Sequence, residues 1–163
     1  MKILITGSLG FVGSHLAKRY HYQGHNVVGI DNGVGGYDDN LTEVQTYKID
    51  CCDQSNLDNL FAKNNFDLVI HAACTAYEGL SVVSPVFVTR NTYDATVNVL
   101  TVAIKHNVKK FVYMSSMARY GNQSAPFTED MKPAPEDPYG IAKVAAEDTV
   151  KCLCDVNGIN WSR

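Results

Sequence analysis

Tyr139 and Lys143 stand one helical turn apart in Tyr139-Gly140-Ile141-Ala142-Lys143. On a helix this spacing puts a phenol and an ammonium on one face. A tyrosine at its ordinary pKa of about 10 is a poor base at neutral pH. A cation held beside it favours the phenolate and lowers that pKa. Such a pair can move a proton between a hydroxyl and the protein near neutral pH, and the same lysine can reach the hydroxyls of a ribose. Taken alone, the spacing equally describes a chance pair on a solvated helix.

A second constellation lies at the N-terminus, where Thr6-Gly7-Ser8-Leu9-Gly10-Phe11-Val12-Gly13 sets three glycines in a G-x-x-G-x-x-G pattern. Gly7 permits a tight turn out of a strand, Gly10 lets backbone approach a pyrophosphate, and Gly13 lets a helix pack closely. The free N–H groups and positive end of that helix then face the phosphates. Glycines recur in any tight strand-to-helix turn, so the motif is weak without context. Context is supplied by Asp31, 18 residues beyond Gly13, near the spacing of about 20 expected for a ribose-binding acid. A carboxylate there accepts from ribose hydroxyls and repels a 2′-phosphate, and the following residue is Asn32 rather than an arginine. The expected cofactor is NAD rather than NADP.

These groups need elements to position them. Lys2 to Thr6 reads as a strand, Phe11 to about Tyr22 as a helix stopped by Gly24, and Asn26 to Asp31 as a second buried strand. That is a βαβ unit. The alternation continues with a strand over Val44 to Asp50, a helix over Ser55 to Lys63 capped by Ser55, and a strand over Asp67 to His71. Ser84-Pro85 starts a long helix that runs to about His106. Lys110 to Ser115 is a strand, a helix runs from Tyr139 to Gly158, and a sixth strand begins at Trp161. Apolar strands separated by helices imply an α/β fold, a doubly wound parallel sheet covered on both faces. Two loop-like stretches, Asn32 to Asn40 and Gly121 to Pro138, follow C-terminal strand ends, where such sheets bind ligands.

The 163 residues suit one domain, with 45% hydrophobic and 19% charged residues. That is enough apolar surface to offset the entropy of ordering and excludes a disordered chain. A net charge of −3 builds no basic face for nucleic acid. No apolar run approaches a membrane span, and the apolar opening Ile3-Leu4-Ile5 ends too early for a signal peptide. The five cysteines, Cys51, Cys52, Cys74, Cys152 and Cys154, contain no CxxC pair, so free thiols in a reducing cytoplasm are expected and no metal site. His21 and His25 read as residues at the helix end, without a nearby carboxylate.

In this order, Gly7-x-x-Gly10-x-x-Gly13, Asp31-Asn32, His71-Ala72-Ala73, Met114-Ser115-Ser116 and Tyr139-x-x-x-Lys143 resemble the extended short-chain dehydrogenases/reductases. The likeness is to their nucleotide-sugar epimerase/dehydratase branch, and it covers the whole chain. It implies a Rossmann domain over residues 1–163, with the C-terminal substrate region absent. It makes Phe11 and Val12 backbone contacts to the pyrophosphate, and Asp31 with Asn32 the adenosine-ribose partners. Asp50 and Cys51 meet the adenine, Ala72 and Ala73 border the nicotinamide, and Asn91 helps position it. For Cys51 and His71, packing alone is a sufficient explanation.

The resemblance also makes Ser116 the hydroxyl that shares the substrate oxygen with Tyr139, while Lys143 assists. Tyr139 takes the hydroxyl proton as hydride passes to NAD, and an epimerase returns the hydride to the other face of the keto sugar. Met117 and Ala118 stand where dehydratases of this branch carry Asp and Glu, which argues for epimerisation or simple redox. Arg119 departs from the family's apolar residue and is open to two readings, a substrate contact or a surface side chain. The implied function is an NAD-dependent nucleotide-sugar epimerase acting on a UDP-hexose, here its cofactor-binding part. A sugar-nucleotide reductase or dehydrogenase and a non-catalytic dinucleotide-binding module are the alternatives. A homodimer, through the helices near Pro85–His106 and Tyr139–Val156, is implied as well.

Overall fold

The computed structural model describes residues 1–41 and 43–163. Strands β1 (Lys2–Thr6), β2 (Asn26–Asp31), β3 (Gln45–Lys48), β4 (Leu68–His71), β5 (Lys110–Tyr113) and β6 (Asn160–Ser162) form one sheet in the order β3-β2-β1-β4-β5-β6. All pairings are parallel. The order reverses between β1 and β4, which opens a crevice beyond their C-terminal ends. The connecting helices are α1 (Phe11–Tyr22), α2 (Gln54–Ala62), the short α3 (Glu78–Val83) and α4 (Pro85–Thr89), then α5 (Ala95–Lys105) and α6 (Pro138–Asn157).

Alternation along each strand divides the core in two. Leu4, Val28, Val69 and Phe111 pack against Leu57 and Phe61 of α2, Val99 of α5 and Val150 of α6. Ile3, Ile5, Val27, Leu68 and Ile70 point the other way, toward Ala17 of α1 and the Leu41 and Val44 side chains. Because helices cover both faces, β4 is buried along its whole length and carries no polar alternation.

Three local expectations are corrected. The second helix is capped by Asp53, not Ser55: the Asp53 carboxylate accepts from the Asn56 backbone N–H at 3.1 Å and from its side-chain amide at 2.7 Å. A carboxylate also suits the positive helix end. The third strand is shorter than Val44 to Asp50: its parallel ladder with β2 runs from Gln45 to Lys48. The long helix from Pro85 is interrupted by a π-type turn over Arg90–Asp94, and α3 precedes it. A single added residue is too short an interruption for the apolar spacing to single out. Such bulges are frequent at functional sites, and this one sends both Asn91 and Ala95 to the crevice.

Candidate active site

The crevice above β1 and β4 is an open cleft of about 320 Å³. Its floor is the glycine turn. Gly7 has φ +66°, and a Cβ there would meet Ala73 backbone at 2.8 Å. A Cβ on Gly13 would lie 2.0 Å from the Gly7 carbonyl oxygen, so α1 can descend onto the turn only as glycine. Gly10 is the N-cap of α1 in extended conformation, and among the described residues no side chain caps that end. The first N–H groups of the helix are left for an anion. Phe11, 79% exposed, and Val12 line the cleft mouth.

Asp31 closes β2 with both carboxylate oxygens engaged. The Leu9 N–H donates to Oδ2 at 3.0 Å and the Gly33 N–H to Oδ1 at 2.8 Å. Each oxygen keeps a second lone pair for a ribose hydroxyl. Asn32 lies beside it on the cleft wall, with Asp50 and Cys51 from the end of β3 further along. Burial pushes the Cys51 thiol well up, so it is a neutral apolar surface rather than a nucleophile. The Asn32–Asn40 loop folds back over the turn: Tyr37 N–H and the Asn40 amide both donate to the Leu9 carbonyl, at 3.1 and 2.7 Å. Val34, Gly35 and Gly36 thereby join the cleft wall, a contribution that no local motif announces.

Ala72 and Ala73 line the opposite wall with Asn91, and His71 beneath them organises it. The Ala73 N–H donates to Thr6 Oγ1 at 3.1 Å, and the Thr96 hydroxyl donates to the Thr92 carbonyl at 2.6 Å. His71 Nε2 lies 3.0 Å from Thr96 Oγ1 and Nδ1 lies 2.7 Å from Thr6 Oγ1. With the Thr96 proton committed to a carbonyl, Nε2 must carry the imidazole proton and Nδ1 must accept from Thr6. Burial, with the Lys143 charge nearby, pushes the His71 pKa down to about 3, which agrees with a neutral ring. This chain ties the glycine turn's strand to the π-type turn that carries Asn91.

Tyr139 and Lys143 sit in the first turns of α6, whose start is set by Pro138 and by Asp137, accepting from Gly140 N–H at 2.9 Å. Both are buried, 3% and 2% exposed. Ser116, at the cap of a 3₁₀ turn over Met117–Tyr120, lies beside the Tyr139 phenol and draws its pKa down. Burial and the neighbouring Cys74 act more strongly, and the phenol is held above the ordinary tyrosine range. The expectation that Lys143 lowers this pKa is corrected here. Its ammonium donates to the Met114 carbonyl at 2.7 Å and lies 4.8 Å over the Tyr113 ring, but 5.9 Å from the Tyr139 ring. The amine has satisfied itself on β5, and burial shifts its own pKa down.

Two further groups stand out. Cys74 lines the cleft and lies close enough to Tyr139 and Lys143 to shift both pKa values upward, joining the cofactor wall to the proton-transfer pair. Only its place just past β4 could have suggested this. Arg119 is neither exposed nor turned to the cleft. It is 7% exposed, with Nε 3.1 Å from a carboxylate oxygen of Glu147 on α6. His21 and His25 pack against Tyr22 and Tyr20, and all five cysteines are free. Among the described residues, no helix is long and apolar enough to cross a membrane.

Comparison with known proteins sets this geometry in a family. The model of the NAD dependent epimerase/dehydratase family matches residues 3–162. UDP-glucose 4-epimerase of Halalkalibacterium halodurans is 36% identical over 162 residues, which cover 99% of this chain and 48% of that protein. The solved structure of UDP-glucose 4-epimerase with UDP-glucose from Thermotoga maritima matches with a TM-score of 0.95 at 30% identity, over 99% of this chain and 53% of that one. The Thermus thermophilus UDP-glucose 4-epimerase, in complex with NAD, matches with a TM-score of 0.94 at 28% identity and the same coverage. The chain spans about half the length of these relatives. On the match to its family model, it belongs to the NAD dependent epimerase/dehydratase family.

Proposed function

We propose that residues 1–163 are the NAD-binding half of a UDP-hexose 4-epimerase and that the nucleotide-sugar is gripped chiefly by residues outside this span. The observation that carries this reading is the meeting of two constellations at one sheet edge. The glycine turn and Asp31 build the cleft, and Cys74 leads from it to the Ser116–Tyr139–Lys143 group. The uncapped start of α1, brought to the cleft floor by close packing at Gly7 and Gly13, fits a pyrophosphate. When bound, the oxidised nicotinamide supplies a reversible hydride acceptor and a positive charge of the sign that favours a phenolate.

The protein's own residues then divide the work. Phe11, Val12 and Gly13 offer their backbone N–H groups to the pyrophosphate, and Asp31 with Asn32 orients the adenosine ribose. Asp50 and Cys51 border the adenine. Ala72, Ala73 and Asn91 set the nicotinamide depth. Tyr139 accepts the sugar hydroxyl proton while Ser116 holds the same oxygen, and Lys143, anchored on the Met114 carbonyl, offers its remaining donors to the cofactor ribose. Helix pairing between two copies, through α4–α5 and α6, belongs to the same reading and is checked by the molar mass in solution.

Titration of the chain with NADH, followed by incubation with NAD and UDP-galactose or UDP-glucose, tests the proposal. Tight NADH binding with at most slow interconversion is expected. Absence of NADH binding overturns the cofactor reading, and rapid epimerisation overturns the assignment of the substrate grip to other residues. Net NADH formation identifies a dehydrogenase instead.

A further inference from the structure

The buried carboxylate of Glu147 is a hub that the proton-transfer scheme does not use. It is 1% exposed and stands one turn beyond Lys143, so that Tyr139, Lys143 and Glu147 follow one another along α6. Three groups from outside the helix converge on it. Arg119 Nε lies 3.1 Å from one oxygen, Arg163 Nη1 lies 2.6 Å from the other, and the Ser115 hydroxyl donates to it. A buried carboxylate is costly unless paired and hydrogen-bonded, and here it is both.

Arg119 is tied through its Nε and through both backbone polar groups. Its side chain reaches Glu147, its N–H donates to the Ser116 carbonyl at 3.3 Å, and its carbonyl accepts from Ala134 N–H at 2.8 Å. Its guanidinium lies 4.8 Å over the Tyr120 ring. Met114 is held to α6 by Lys143, and Gly140 lets the turn lie against the helix, since a Cβ there would come within 2.9 Å of the Ala118 carbonyl. The strip from Met114 to Arg119 is therefore pinned to α6 on both sides of Ser116, while the Ser116 hydroxyl accepts from the Ala118 N–H at 3.2 Å and lies beside the Tyr139 phenol.

We propose that Arg119 and Glu147 are positioning residues that clamp the Ser116 turn onto α6 and so set the contact between the Ser116 hydroxyl and the Tyr139 phenol. The catalytic meaning of that contact rests on the proposed function; the clamp itself does not. Its test is made on the ligand-free chain carrying ¹³C at the tyrosine Cζ, with the Tyr139 resonance identified by its loss in Tyr139→Phe. Ser116→Ala displaces that resonance by removing the hydroxyl beside the phenol oxygen. Arg119→Met and Glu147→Gln each displace it in the same direction, by at least half as much, and Ser116→Ala adds nothing further on top of Arg119→Met. Because the two substitutions remove opposite charges, a field effect alone moves the resonance in opposite directions and overturns the proposal. So does a resonance that stays in place in Arg119→Met. If Glu147→Gln does not fold, Arg119→Met alone and with Ser116→Ala decides, since Glu147 then keeps Arg163 and Ser115. NAD titration of the same unsubstituted sample reads the cofactor proposal separately.

Discussion

The carbonyl oxygen of Gly7 occupies the space in which a side chain on Gly13 would begin, 2.0 Å from the Cβ position. The contact joins the end of β1 to the first turn of α1, and it is what brings the helix N-terminus to the cleft floor. Gly13→Ala must therefore move backbone rather than a side chain. The expected cost is about 1–3 kcal/mol of stability, the range for overpacking, together with weaker NADH binding. Urea unfolding and calorimetric titration check both. Unchanged affinity and stability would show that the turn is not built on this contact.

Asp31 accepts from Leu9 and Gly33 N–H groups and still presents lone pairs to the cleft. A 2′-phosphate would be brought against this carboxylate. NADH is expected to bind more tightly than NADPH by at least about tenfold, or 1.4 kcal/mol. Asp31→Ser should weaken NADH and narrow the difference. Fluorescence titration of both nucleotides against both proteins is the measurement, and a preference for NADPH contradicts the prediction.

His71 carries the clearest pH signature. Its pKa falls from 6.5 to about 3 on folding, so between those values the unfolded chain binds a proton that the native chain does not. Stability is then fully present above the unfolded value and is lost as pH falls through this window, by at most about 1.4 kcal/mol per pH unit. Unfolding measured from pH 6.5 down to about 4.5, above most carboxylate titration, should show this slope in the parent protein and not in His71→Gln. Equal slopes in the two would place the His71 proton elsewhere. The Nε2–H tautomer is read independently from the imidazole ¹⁵N shifts.

The position of Tyr139 depends on how α6 starts. Asp137 accepts from Gly140 N–H at 2.9 Å and from the Ser81 hydroxyl at 3.3 Å, linking the cap to α3. Asp137→Ala should cost about 1 kcal/mol, as for other N-cap losses, and lower the melting temperature. Asp137→Ser, which can cap the helix, should recover most of the loss. A Ser variant as unstable as the Ala variant would assign the effect to the link with Ser81.

Local order was legible in the amino-acid sequence because each signal spans only a few residues. The glycine spacing, the acid ending β2, and the Tyr139–Lys143 step follow from backbone geometry repeated along the chain, and so did the alternation of strands and helices. The π-type turn over Arg90–Asp94 escaped because it alters the period by a single residue. Partners far apart along the chain were not legible. Arg119 reads two ways from its neighbours in the chain, and only the fold sets Glu147, 28 residues away, against it. The spacing assigns Lys143 to the phenol one turn back, yet its ammonium is bound to the Met114 carbonyl, outside the helix. Cys74 carries no motif, and only the fold brings the segment after β4 beside Tyr139. A side chain's type and spacing state what chemistry it can offer. Which group it spends that chemistry on depends on desolvation and on the nearest competing donor or acceptor, and those are set only when the sheet has closed.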